Sequence, residues 1–326
     1  MQTSSIRRRA AIGALCCLTF ASASAWAQYP TRAIRLVVPF NAGPGPDNLA
    51  RITANKLQEQ FGWNVVVDNK PGAGGNIGTN EVAKARADGY TLLFGHVGAL
   101  AVNPTIYTRL PFDPKKDLVP ISMVATSPLL LVTGKSSPYR NLSDVLAAAR
   151  RQADTVSYGY SGTGTIAHLS GAALGKAAGT TFRNIPYKTA AQGVLDLAAG
   201  RLDLYMSSAA SLSGYVRDGK LHAIAVTSAQ RDPDLPDVPS VAEQAIAGFD
   251  ASTWFALMAP AGTPEEVVRT LNEAVTTVLK DPDTVERFRS VGAVTRPGSP
   301  AALASYLDAE VVRWGKVATE SGAKVE

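Results

Sequence analysis

Apolar and polar positions along this chain follow two rhythms. Short unbroken apolar runs read as buried strands, and the stretches between them carry apolar residues at helical spacing. AIRLVVPF (33–40) is the first such run, and DNLARITANKLQEQFG (47–62) follows with Leu49, Ile52, Leu57 and Phe61 on one helical face. NVVVDN (64–69) and TLLFGH (91–96) are the next strands, with a glycine-rich turn and a helix at GTNEVAKAR (78–86) between them. A second series begins near residue 126. It predicts strands at 128–134, 156–160, 183–188, 202–208 and 221–228, and helices at 141–152, 165–178 and 189–201. A proline-rich connection (231–241) precedes a strand and a helix within 252–280. There Thr263 is the expected N-cap, Pro264 the first helical residue and Glu266 the partner of a capping box. Ser299-Pro300 opens a last helix through about 319. The alternation predicts an α/β protein with mainly parallel strands.

The first 27 residues have a different character. Arg7-Arg8-Arg9 precede a short apolar stretch, and Ala25-Trp26-Ala27 supplies an A-x-A site, the layout of a secretory signal peptide. Leu15 before Cys16, and Cys16 before Cys17, do not make a lipobox, so cleavage after Ala27 and a soluble exported product are expected. Cleavage leaves 299 of 326 residues and removes three arginines but no acid, so 29 Lys+Arg face 27 Asp+Glu, a balance of +2. The excess of basic residues belongs largely to the leader, and the remainder gives no basic stripe for nucleic acid. Both cysteines leave with it, excluding disulfides and thiolate chemistry. No later segment has the ~18 uncharged apolar residues of a membrane span.

Few motifs carry reaction chemistry. GYSGTG (159–164) approaches the G-x-S-x-G elbow at Gly159 and Ser161, but Thr163 stands where the last glycine belongs. Only His96, His168 and His222 are present, with no metal-binding spacing, so neither a triad nor zinc is indicated. His168, one turn into an apolar helix, reads as a hydrogen-bonded structural histidine. Gly72, Gly74 and Gly78 approximate a dinucleotide fingerprint, yet Ile77 occupies the third glycine's place and the next strand ends without an acid. No cofactor is expected. The rival class that these residues leave open is a secreted enzyme, either a hydrolase using Ser161 or an oxidoreductase using the 72–78 turn.

Three loops share another chemistry. NAGPGPDN (41–48), PGAGGNIGT (71–79) and SGTGT (161–165) are rich in glycine, and each precedes a helix. Free N–H groups at a helix N-terminus, backed by the macrodipole, favour a small anion. Ligands of open α/β sheets settle outside the carboxyl ends of the strands. Several such loops in two successive α/β halves predict a cleft between lobes.

Whole blocks of the chain resemble one family. YPTRAIRLVVPFNAGPGPDNLAR, VDNKPGAGGNIGTNEVAKARADGYTLL, NPTIYTRLPFDPKKDLVPIS, YGYSGTGTIAHLSG, IPYKTAAQGVLDLAAGRLDL and WFALMAPAGTP stand in the order and spacing of the Bug receptors. These are the periplasmic substrate-binding proteins of the tripartite tricarboxylate transporter (TctC-like) family. The resemblance implies a hinged, two-lobed periplasmic binding protein fold of the Venus-flytrap, type II-like kind. Lobe one would take 28–125 plus 250–326 and lobe two 126–249, around a small organic carboxylate (mono-, di- or aromatic). It implies a periplasmic, monomeric receptor with no chemical mechanism, serving membrane transporter subunits or a sensor. Carried over by position, one carboxylate group would be held by backbone N–H groups and waters of two loops. The first is Phe40, Asn41, Ala42, Gly43, Gly45 and Asp47; the second is Ser161, Gly162, Thr163, Gly164 and Thr165. Asp196 would orient ligand or water, and the 95–100 stretch with His96 and Val97, Tyr187, and the 207–211 segment with Ser207 and Ser208 would line the cleft. Two departures stand out: Pro44 replaces the loop's second glycine and removes an N–H, and Thr189 replaces the glycine after Tyr-Lys.

Overall fold

The first apolar run becomes β1 (Ile34–Val38), buried because it lies between two parallel neighbours. Those are β2 (Val65–Asn69) and β3 (Thr91–His96), with Ile34 opposite Val65 and Leu36 opposite Leu92. The crossovers run through α1 (Pro46–Phe61) and α2 (Asn76–Ala83), so both helices start beyond strand C-termini. After β3 the chain coils through a wide turn into the short α3 (Asn103–Ile106). This computed structural model describes residues 29–43, 45–322 and 324. The expected leader (1–27) and the course of the loop at Pro44 therefore lie outside the described residues. Contacts divide the chain at Arg32/Ala33; residues 29–32 carry no helix or strand, and Ala33 onward is one compact unit.

The strands form two sheets. The first has the order β11-β4-β10-β3-β1-β2, completed by β4 (Leu118–Ser127), β10 (Thr253–Pro260) and β11 (Val294–Thr295). The second has the order β7-β6-β8-β5-β9, from β5 (Leu129–Gly134), β6 (Ser157–Ser161), β7 (Arg183–Tyr187), β8 (Leu204–Ser208) and β9 (Leu221–Val226). Its helices are α4 (Leu142–Arg151), α5 (Ile166–Ala177), α6 (Ala190–Ala198), α7 (Ala209–Arg217) and α8 (Val241–Gln244). The chain then returns to the first sheet with α9 (Glu265–Lys280), α10 (Pro282–Ser290) and α11 (Pro300–Ser321). This is a two-lobed α/β architecture.

Three sequence readings need correction. The sheets are mixed rather than mainly parallel: β10 runs antiparallel to β3 and β4, and β5 antiparallel to β8 and β9. β4 has no counterpart in the sequence reading because Pro120 sits inside it. A proline is tolerated there because β11 pairs only with Ala125 and Thr126, leaving Pro120's outer side unpaired. The capping box at α9 does not form. Thr263 is buried and its hydroxyl donates to Pro260 O (2.7 Å), closing the turn after β10, while Glu266 binds Arg269 and Pro264 takes the N-cap position. Ser299 does cap α11, accepting from Ala302 N (3.1 Å).

One buried carboxylate fixes α11 to the first sheet. Glu310 Oε2 accepts Trp254 Nε1 (2.7 Å) from β10 and Trp314 Nε1 (2.9 Å) from its own helix, and Oε1 accepts from Arg313 (3.0 Å). Removing it strands two buried indole donors, each costing its desolvation, while the half-exposed arginine is rescued by water. Glu310→Ala should therefore destabilise the protein by about 3 kcal/mol, read as a lower urea midpoint at unchanged slope.

Candidate functional site

The loop after β1 is built around an inward-turned acid. Asp47, in the first turn of α1, is buried; its Oδ2 accepts Gly43 N–H (2.9 Å) and Arg51 Nε (3.0 Å), and its Oδ1 accepts Asn69 Nδ2 (2.9 Å). Asn69 also holds Phe40 O (3.1 Å). Burial, the largest influence, opposes ionisation, but the bonds from Arg51, Gly43 and Asn69 outweigh it and hold the carboxyl below its usual range. Asp47 is thus the internal strut of the loop. It engages the Gly43 N–H itself, while Asn41, Ala42 and Gly43 remain exposed.

Gly45, the N-cap of α1, has φ +90° and lies against the second sheet's α7: a β-carbon there would stand 2.8 Å from Ser211 Oγ. Ser211 Oγ pairs with Ser208 Oγ (3.0 Å) at the end of β8. The two lobes meet at this point.

The second loop follows β6. Gly162 N–H donates to Tyr187 O (3.0 Å), and Thr165 Oγ1 donates to Gly162 O (2.9 Å) and caps α5 by accepting from His168 N (3.4 Å). Gly164 N–H donates to His168 Nδ1 (3.1 Å), so the neutral ring carries its hydrogen on Nε2; burial lowers its pKa. Thr163 is exposed at the tip. Ser161 Oγ lies 2.5 Å from Tyr205 Oη. β6 and β8 run parallel side by side, with Gly159 opposite Tyr205, so this loop emerges beside Ser207 and Ser208.

Tyr187 and Tyr205 meet edge to face at 6.2 Å. Tyr187 Oη donates to Asp196 Oδ2 (2.9 Å), and Asp196 Oδ1 accepts from Arg201 Nε (3.0 Å). Burial and then Asp196 push Tyr187 up to about 12. Arg201, and then Tyr187, hold the Asp196 carboxyl low. Asp196 therefore braces the tyrosine wall.

His96 ends β3 beside Phe40, their rings 4.6 Å apart. Its Nδ1 accepts Gly98 N–H (3.1 Å); its Nε2, without a hydrogen-bond partner, packs on Gly75, where a β-carbon would stand 2.4 Å away. Val97 is fully buried and shapes the site only by packing.

The enzyme readings find no support in this geometry. Ser161 faces a phenol that burial pushes up to about 12, not a base, and His168 Nδ1 is already engaged. In the 72–78 turn, Gly75 makes room for His96 and Gly78 sits where a β-carbon would meet Lys70 O at 2.9 Å, a close approach of strand and helix. Among the described residues no group of His, Cys, Asp or Glu could hold a metal, and no helix is long and apolar enough to cross a membrane. Sequence reasoning missed Tyr205, an ordinary apolar position in a strand pattern; Ser211 falls in the 207–211 segment expected to line the cleft, but the helix that carries it, α7, was not foreseen. That helix went unread because AASLSGYVR is rich in Ser, Gly and β-branched or aromatic residues with low helix propensity.

Burial lowers His96 to about 4, against 6.5 when exposed. Between those values the unfolded chain binds a proton that the folded chain refuses, so this stability is full above about pH 6.5 and is lost as pH falls towards 4. The shift corresponds to about 3 kcal/mol. In urea titrations from pH 7 to pH 4, His96→Asn should flatten the wild-type decline by that order.

Comparison with known proteins agrees with this architecture. The family model for the tripartite tricarboxylate transporter family receptor matches residues 49–323. Protein BugT of Bordetella pertussis is 36% identical over 91% of this chain and 92% of its own. The adipate-bound structure of Rpa4515 from R. palustris is 36% identical with a TM-score of 0.87, covering 91% of this chain and all of that one. MatC from Rhodopseudomonas palustris, with bound malate, is 30% identical with a TM-score of 0.81, covering 89% of this chain and 99% of that one. The matched family is one of receptors rather than enzymes, and this chain belongs to that tripartite tricarboxylate transporter receptor family.

Proposed function

We propose that this receptor captures a small organic carboxylate between the loop at 40–47 and the loop at 161–165, and delivers it to membrane subunits of a tripartite tricarboxylate-type transporter. The leader at 1–27 would direct it to the periplasm as a soluble monomer. Lobe one would comprise 28–125 and 250–326 and lobe two 126–249, a division supported by sheet membership except at 126–127, which end β4: β1–β4, β10 and β11 against β5–β9.

The observation that carries this reading is the approach of Gly45 to Ser211, which brings the first loop onto the end of β8 beside the second loop. The donors within the two loops are neutral. Arg51 is committed to Asp47 and Asn69, and Arg201 to Asp196, so a carboxylate would meet N–H groups, hydroxyls and helix N-termini. A dicarboxylate fits the adipate and malate seen in the two neighbours. Closing the lobes around it would exclude water and strengthen these dipolar contacts.

Calorimetric titration with adipate and malate tests the reading. Binding of either, with no binding of adipamide, is the expected result; no heat and no thermal stabilisation with either acid would overturn it. Gly45→Ala should weaken carboxylate binding by about 10-fold, because the added methyl meets Ser211 and holds the lobes apart. Ser211→Gly in the same background should restore most of that loss.

A further inference from the structure

Tyr205 belongs to no loop of the proposed site, and its side chain is completely buried. Its position is nevertheless narrowly determined. Glycines on two neighbouring elements make its seat: a β-carbon at Gly193 on α6 would stand 2.2 Å from Tyr205 Cε2, and one at Gly159 on β6 would stand 2.9 Å from Cδ2. Tyr187 closes the seat edge-on and is braced by Asp196 and Arg201. The ring ends with Oη 2.5 Å from Ser161 Oγ, the first residue of the second loop.

The direction of that hydrogen bond follows from counting hydrogens. A phenol has one, and burial pushes Tyr205 up to about 12, so it keeps it. Ser161 Oγ is the acceptor the structure offers to that hydrogen. If the serine donated instead, the phenol hydrogen would be buried without a partner, a full desolvation penalty. Ser161 is half-exposed, so its own hydrogen can be satisfied from the cleft side.

We infer that Tyr205 is a positioning residue: by donating to Ser161 Oγ it occupies one of the serine's two lone pairs and turns the serine hydrogen toward the cleft, favouring an ionised carboxylate over the corresponding amide. This rests on the carboxylate reading above and adds a source of selectivity. Ser161 becomes a directed donor at the N-terminal end of α5, where the Gly162–Thr165 turn and the helix already favour negative charge. Without the phenol both lone pairs are open and the serine hydrogen can turn away from the cleft, so the bias towards a carboxylate oxygen weakens.

Two measurements separate this inference from the function it rests on. The first needs no ligand: the tyrosine Raman doublet of Tyr205, taken as the difference between wild type and Tyr205→Phe. A donor pattern, with the lower-frequency band stronger, is expected; an acceptor pattern overturns the inference whether or not any acid binds. The second is a double-mutant cycle with adipate against adipamide. Ser161→Ala should weaken adipate binding about 10-fold and Tyr205→Phe about 5-fold, with the double variant no weaker than Ser161→Ala alone. Tyr205→Phe should also narrow the preference for adipate over adipamide while retaining wild-type folding. Multiplicative losses, or an unchanged preference, overturn the inference. If wild type binds neither adipate nor malate the carboxylate reading falls, and the doublet alone decides the role of Tyr205.

Discussion

The chain must cross twice between two sheets without leaving buried backbone groups unpaired, and the rest of the molecule depends on how it does so. Only Pro128 separates β4 from β5 on the outward crossing. The return, at Ala251, is held by Thr227, fully buried, whose hydroxyl accepts Leu129 N–H (2.9 Å) and donates to Ala251 O (2.8 Å). Its backbone bonds to Leu129 O and Ala251 N–H complete the stitch. Ser127 adds a second one, donating to Gly292 O (2.6 Å) and accepting from Ala210 N (3.3 Å). Every polar group added to these crossings is used, because an unsatisfied one would cost about 1–3 kcal/mol. The crossings therefore form a defined base, and strand C-termini from both sheets open on the same side of it.

In the proposed site, that base would let neutral groups do what a buried cation does elsewhere. Asp47 keeps its charge but spends it on the loop's own N–H and on Arg51 and Asn69. His96 and His168 both accept a glycine N–H at Nδ1, and burial keeps both rings neutral. In the proposed site an anion would meet dipoles already oriented by the fold, with little reorganisation to offset.

Much of the fold was legible in the chain. β1 to β3, β5 to β9 and the strong helices follow apolar periodicity, and Ser299 announces the start of α11. The misses share a cause. β4 hides behind Pro120, α7 behind poor helix formers, and the Thr263 hydroxyl was claimed by a turn rather than a cap. In each, a tertiary partner overrode the local preference.

The same division runs through the site. The glycine-rich loops and their order along the chain fixed the family and the two-lobed design, because backbone freedom and helix starts are local properties written in local residues. Only the tertiary structure decided that Asp47 faces inward, that Asp196 braces a tyrosine, that Gly45 touches Ser211 and that Tyr205 holds Ser161. Those outcomes join residues far apart in the chain, and which hydrogen meets which lone pair is set by packing that no local pattern encodes.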